Sequence, residues 1–86
     1  MPELCRFFGI IIRMYYNDHD PPHFHAVYGD DEVLIEVDTL AVVRGELPRR
    51  ALALVVEWAV LHRDELRCDW ELARSGRRPT PIAPLE

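Results

Sequence analysis

Two histidines one residue apart, His23 and His25, close a segment that begins Asn17-Asp18-His19-Asp20 and passes through Pro21-Pro22. No other stretch of the chain gathers so many groups able to move protons or hold ions. Side chains at i and i+2 of a strand leave the same face, so His-x-His points two imidazoles one way. One chemistry for such a pair is general acid–base work, with one ring accepting a proton and the other donating one. The other is metal ligation, with Asp18, His19 or Asp20 as a third donor. A full ligand set is not visible in the spacing, and His62 lies far along the chain. No metal and no cofactor is therefore expected. Nucleophilic triads fare worse, since Ser75 is the only serine and neither Cys5 nor Cys68 lies in a motif. The four glycines are scattered and build no phosphate loop.

Strands must position the pair. Residues 9–16 are rich in β-branched and aromatic types and read as a strand, followed by turn chemistry over 17–22. A second strand is expected over 23–29, a third over 32–37 and a short fourth over 40–44. If Asp30-Asp31 is the hairpin loop, Gly29 pairs with Glu32 and the rest follows by counting. Phe24 then opposes Val37, Ala26 opposes Ile35 and Tyr28 opposes Val33, all apolar and on one face. On the other face, His25 opposes Glu36, His23 opposes Asp38 and Val27 opposes Leu34. In the first strand Ile10, Ile12, Met14 and Tyr16 form the apolar side, which leaves Arg13 and Tyr15 with the histidines.

That face assembles a base, an acid and a cation. For an RNA substrate, His25 and His23 are the expected base and acid, and Arg13 stabilises the charged phosphorane. Tyr15 positions the substrate, and Glu36 orients His25. The plain alternative is a structural face, because the open side of an antiparallel sheet is polar anyway.

From Pro48 the period changes to that of a helix. Arg50, Glu57, Asp64 and Glu71 recur every seven residues, opposite an apolar stripe of Leu52, Val55, Val56, Ala59, Leu66, Trp70 and Ala73. One long helix over about 48–75 is expected, with a break near Arg63-Asp64 as the alternative. Ser75-Gly76 ends it, and residues 77–86 form an extended, proline-rich tail. The fold class is thus α+β: a meander of three or four antiparallel strands with the helix on one face, in a single domain over 1–76. Leu54, Trp58, Leu61 and Leu72 make a second apolar stripe. Either the helix is deeply sunk against its own strands and tail, or the stripe binds another copy or a partner protein, with Trp58 as anchor.

Composition bounds the rest. Apolar residues are 49% of the chain, enough for a compact core in 86 residues. A formal charge of −5 argues against a broad nucleic-acid footprint, leaving room only for a small RNA site. All ten basic residues are arginine. No signal core and no membrane-length apolar run is present, so a cytoplasmic protein with reduced thiols and no membrane partner is expected.

The motifs Arg6-Phe7-Phe8-Gly9, Met14 through His25 with its Pro-Pro-His-Phe-His block, and Leu47-Pro48-Arg49-Arg50-Ala51-Leu52 run the length of the chain. In these the sequence resembles a small bacterial family catalogued as a domain of unknown function. Asp69-Trp70-Glu71-Leu72-Ala73 and the proline-rich tail fit it too. Genes of that family often stand beside a second small gene, in toxin–antitoxin fashion. The resemblance therefore implies a toxin-like component neutralised by the neighbouring gene's product, and it assigns no catalytic residues. A non-enzymatic interaction or regulatory module is the alternative.

Overall fold

The computed structural model describes residues 2–86. Five strands run β1 (Glu3–Phe7), β2 (Ile10–Arg13), β3 (His23–Tyr28), β4 (Asp31–Glu36) and β5 (Val42–Gly45), followed by helices α1 (Arg49–Leu61) and α2 (Arg63–Arg74). The strands form one antiparallel meander in the order β1-β2-β3-β4-β5. The class is α+β as expected, but with five strands instead of three or four and two helices instead of one.

The additional strand is β1. Its apolar alternation is blurred by an irregularity between Glu3 and Cys5, and its turn is unusual. Phe7 pairs with Ile10, so the loop is Phe8-Gly9, with φ of 50° and 81°. Positive φ at both loop residues gives the twist that joins two adjacent strands. Phe8 is a poor residue for that region, which hides the turn from composition.

The β3–β4 hairpin differs by two residues from the count. Tyr28 pairs with Asp31, so the loop is Gly29-Asp30, with Gly29 at φ 62° in the first position. Gly at that place is the signature of a tight II′ loop, whereas Asp30-Asp31 has none. Ala26 therefore opposes Val33, Phe24 opposes Ile35, His25 opposes Leu34 and His23 opposes Glu36. A slip of two preserves faces and changes partners. Phe24, Ala26, Val33 and Ile35 accordingly lie in the core, but neither the His25–Glu36 nor the His23–Asp38 pair forms.

Ile10, Ile12 and Met14 join that core, while Tyr16, at the end of the expected apolar side, is 42% exposed. The helices cover it through Ala51, Val55, Trp58 and Ala59 of α1 and Leu66, Trp70 and Ala73 of α2. Positions 51, 55, 58 and 59 are one helical face, so Trp58 belongs to the inward stripe. It is 0% exposed, its ring lies 5.7 Å from Phe7 and 5.9 Å from Phe24, and its Nε1–H donates to Ala83 O at 2.8 Å. The tail of this same chain is the cover, which corrects the expectation of Trp58 as a partner anchor. Of the stripe's other members, Leu54 and Leu72 are half-buried and Leu61 is 66% exposed.

The helical layer bends at His62. Its N–H bonds Ala59 O at 3.2 Å, a tightened last turn, and α2 opens with Asp64 and Glu65 in its first turn. Acidic residues there favour a helix N-terminus, a start signal inside what reads as one continuous pattern. Breaking the helix there keeps the layer within a body measuring 33 × 25 × 22 Å, shorter than the roughly 40 Å one unbroken helix would span. At the far end Gly76, at φ 78°, donates to Ala73 O and Arg77 donates to Leu72 O, the paired bonds of a glycine C-cap. The tail returns across β1, where Ile82 N–H bonds Leu4 O at 3.1 Å. No described helix is long and apolar enough to cross a membrane.

Candidate functional site

The loop from 17 to 22 folds over the start of β3 because both of its ends are tied. Asn17 N–H donates to Ala73 O at 3.2 Å at the end of α2, and Pro22 O accepts from Val37 N–H at 2.9 Å beyond β4. Asn17 itself adopts φ 54°, a conformation asparagine tolerates better than most residues. The loop thereby hangs Asp18 beside the two strand histidines. His23 and His25 are 8% and 7% exposed, so their face is not the open, solvated one expected of a bare sheet. Trp70 supports His23 with ring centroids 5.1 Å apart, and Tyr15 meets His25 edge-on at 4.2 Å.

Each imidazole has its Nδ1 fixed by an acceptor. His23 Nδ1–H donates to Pro21 O at 2.9 Å, and His25 Nδ1–H donates to Glu32 Oε2 at 2.9 Å. These partners assign the tautomers: in a neutral ring the lone pair then sits on Nε2. Both Nε2 atoms face a single oxygen. His23 Nε2 is 2.9 Å from Asp18 Oδ2, and His25 Nε2 is 3.5 Å from it, beyond good hydrogen-bond length. His25 Nε2 is buried and has no hydrogen-bond partner. Asp18 Oδ2 and the two histidines form the one group of potential metal donors found among the described residues, all within 4.8 Å of one another.

Burial by itself pushes the Asp18 carboxyl up. It is nonetheless held below the usual range, because the His19 amide donates to Oδ1 at 2.9 Å and His23 and His25 face Oδ2. Asp18 is thus an ionised carboxylate at neutral pH. The cluster floors an open cleft of about 620 Å³, walled by Tyr15, His19 and Asp20 on one side and by Leu34, Val43, Arg44 and Gly45 on the other. Gly45 is required in that wall: at φ 79°, a Cβ there would come within 2.2 Å of Glu32 O. Strand β5 can thus approach β4 closely enough to shape the cleft.

Of the five residues expected to do chemistry, the structure brings together three: His23, His25 and Tyr15. Glu36 faces His23 across the strands but lines no part of the cleft. In the observed register Glu32 and Glu36 both lie diagonal to His25, and it is Glu32 whose carboxylate accepts from His25 Nδ1–H, the contact expected of Glu36. Arg13 pairs with His25 along the sheet but does not line the cleft, and its charge acts on Glu3. Arg44 is the cation at the wall. The spacing alone offers Asp18 as a third donor, whereas Glu32 and Arg44 reach the cleft through the pairing of β3 with β4 and of β4 with β5.

A five-stranded meander backed by two helices, with a His-x-His strand as the floor of a cleft, defines the class: a compact α+β domain with one polar centre. The family model described as a domain of unknown function (DUF4160) matches residues 9–71. That is well over half the chain, and the protein belongs to this family. The matched span includes the whole histidine segment and omits β1 and the tail. No curated protein matches the chain, and no solved structure does.

Proposed function

We propose that the protein acts through the Asp18–His23–His25 cleft as the toxin-like member of a bacterial two-protein module, with RNA as its substrate. The observation that carries this reading is His25 Nε2: a basic nitrogen, buried and unpartnered, at the floor of an open cleft. Leaving such an atom unsatisfied costs roughly 1–3 kcal/mol, and unsatisfied groups of this kind are retained where chemistry uses them. Arg44 at the rim supplies a cation for a phosphate, and Tyr15 a ring and hydroxyl for positioning. The cytoplasm, expected from the composition, is the setting of this proposal, and there a cognate protein from a neighbouring gene, which the family resemblance implies, would restrain the activity. Of the residues expected to bind that partner, Leu54, Leu61 and Leu72 keep the role in this proposal, and Trp58 does not.

The test is induction of the chain alone in bacteria, with and without the neighbouring gene, beside Glu32→Gln and His25→Ala. Growth arrest and RNA cleavage by the wild type, both absent in His25→Ala, are expected. Arrest undiminished in His25→Ala would remove the cleft from the mechanism.

A second reading has its own support. Three of the four ring nitrogens of His23 and His25 are tied within the chain, and the formal charge is −5. A non-enzymatic interaction module, in which the histidines hold the loop to the hairpin, fits those two facts. It predicts a large loss of thermal stability in His25→Ala and no activity to lose.

A further inference from the structure

The arrangement at Asp18 Oδ2 has a stereochemical problem in the neutral state. Pro21 O fixes His23 as the Nδ1–H tautomer, so the Nε2 lone pair meets a carboxylate oxygen at 2.9 Å. Glu32 does the same to His25, whose Nε2 lone pair aims at the same oxygen from 3.5 Å. Two lone pairs and an anion repel unless something positive lies between them. A proton on His23 relieves one contact and leaves His25 Nε2 bare. A metal ion satisfies all three atoms together.

The geometry points to a mononuclear site for a divalent first-row transition metal, ligated by Asp18 Oδ2, His23 Nε2 and His25 Nε2. Four features carry it. Donors bound at about 2.0–2.2 Å from one zinc stand roughly 3.4 Å apart in a tetrahedron; the 3.5 Å pair fits that spacing, the 2.9 Å pair has to open by about half an ångström, and all three atoms lie within 4.8 Å of one another. The Nδ1 partners are those that metal-binding histidines normally have: a backbone carbonyl on one ring and a carboxylate on the other. Two imidazoles select zinc, iron or cobalt over magnesium or calcium, which prefer oxygen. Three protein ligands facing an open cleft leave positions for water or substrate, the pattern of a reactive site as opposed to a structural one. This goes against the sequence-based expectation of no metal. That expectation lacked a reason to bring Asp18 to the strand, which the ties at Asn17 and Pro22 supply.

The inference deepens the proposed working cleft and rests on it for function, but its test needs neither RNA nor a partner. Untagged full chain, stripped by a chelator, is titrated with zinc against a chromophoric competitor, and with cobalt(II) followed by its visible absorption. One equivalent of zinc is expected, with cobalt bands of a nitrogen–oxygen site and no thiolate charge transfer. His25→Ala should weaken zinc binding at least about a hundredfold by loss of a ligand, and Glu32→Gln about ten- to a hundredfold through His25. Circular dichroism accompanies each variant. Should His25→Ala fail to fold, Asp18→Asn, in a loop half open to solvent, decides alone. No stoichiometric binding, or binding unchanged in Asp18→Asn, overturns the assignment. Zinc binding without growth arrest keeps the metal site and discards the RNA reading; arrest by a chain that binds no metal does the reverse.

Discussion

Trp58 and His25 are both buried ring side chains with a nitrogen to satisfy, and the molecule treats them oppositely. The Trp58 N–H is met by Ala83 O, a carbonyl brought back from 25 residues downstream. His25 Nε2 is met by nothing of its own chain. A missing partner alone does not mark a site, because Trp70 Nε1 and Asp69 Oδ2 in α2 also lack one. What distinguishes His25 Nε2 is that two further donor atoms converge on the same space, beside a cleft. The Trp58 nitrogen is closed by the fold, whereas the His25 nitrogen, in the reading proposed above, is left open toward a ligand.

The largest expected effect tests the closed side. Trp58→Ala should cost about 3–5 kcal/mol, as a buried ring and its cavity are lost. That is a large part of the roughly 5–15 kcal/mol that holds a typical domain together. Urea denaturation should show the midpoint fall sharply, while zinc stoichiometry in the surviving folded fraction stays at one. A small loss from Trp58→Ala would break the comparison, since the ring would then not be a core element.

A middle-sized effect concerns Asp18. Its folded carboxyl titrates below the unfolded value of about 3.9, so the sign is that of a stabilising anion. Its contribution is complete above the unfolded value and disappears as pH falls through the folded one. Denaturation curves of wild type and Asp18→Asn, measured without metal, should therefore differ at neutral pH and converge on acidification below about pH 4. Curves that stay parallel to low pH would separate Asp18 from the two histidines.

The smallest effect lies away from both regions. Burial, and then the Glu3 charge, push the Cys5 thiol up to about 12, whereas Cys68 is exposed on α2. A thiol reagent at neutral pH should label Cys68 quickly and Cys5 only upon unfolding, with no change in stability or zinc affinity. Fast labelling of Cys5 would mean that β1 opens readily, and would weaken the picture of a closed side.

Much of this was legible in the sequence for physical reasons. Strand alternation survives an even register slip, so the core face and the histidine face follow from residue types alone, even though the hairpin count points to Glu36 where Glu32 stands. The class, the His-x-His centre, Tyr15 and the glycine stop at Gly76 came from local chemistry. What was hidden depended on long-range or atypical geometry. Phe8 in a left-handed turn concealed β1. The continuous period of the helix favours one long element, and it is the alternative, a break near Arg63-Asp64, that the structure has at His62, with Asp64 and Glu65 in the first turn of α2. The Ala83 carbonyl over Trp58 joins positions whose meeting no periodicity encodes.

The return of the tail across β1 also sets an order of events during translation. Among the described residues Ile82 is the last of the buried core in chain order, and its N–H bonds the carbonyl of Leu4, far upstream of it. Domains begin to fold while their chains are still being synthesised. On a nascent chain, the meander and α1 can form early, but the Trp58 indole and the Leu4 carbonyl then stay uncovered until the tail leaves the ribosome. During that interval the apolar side of α1 is open to whatever meets it first, including a chaperone or another copy of the chain.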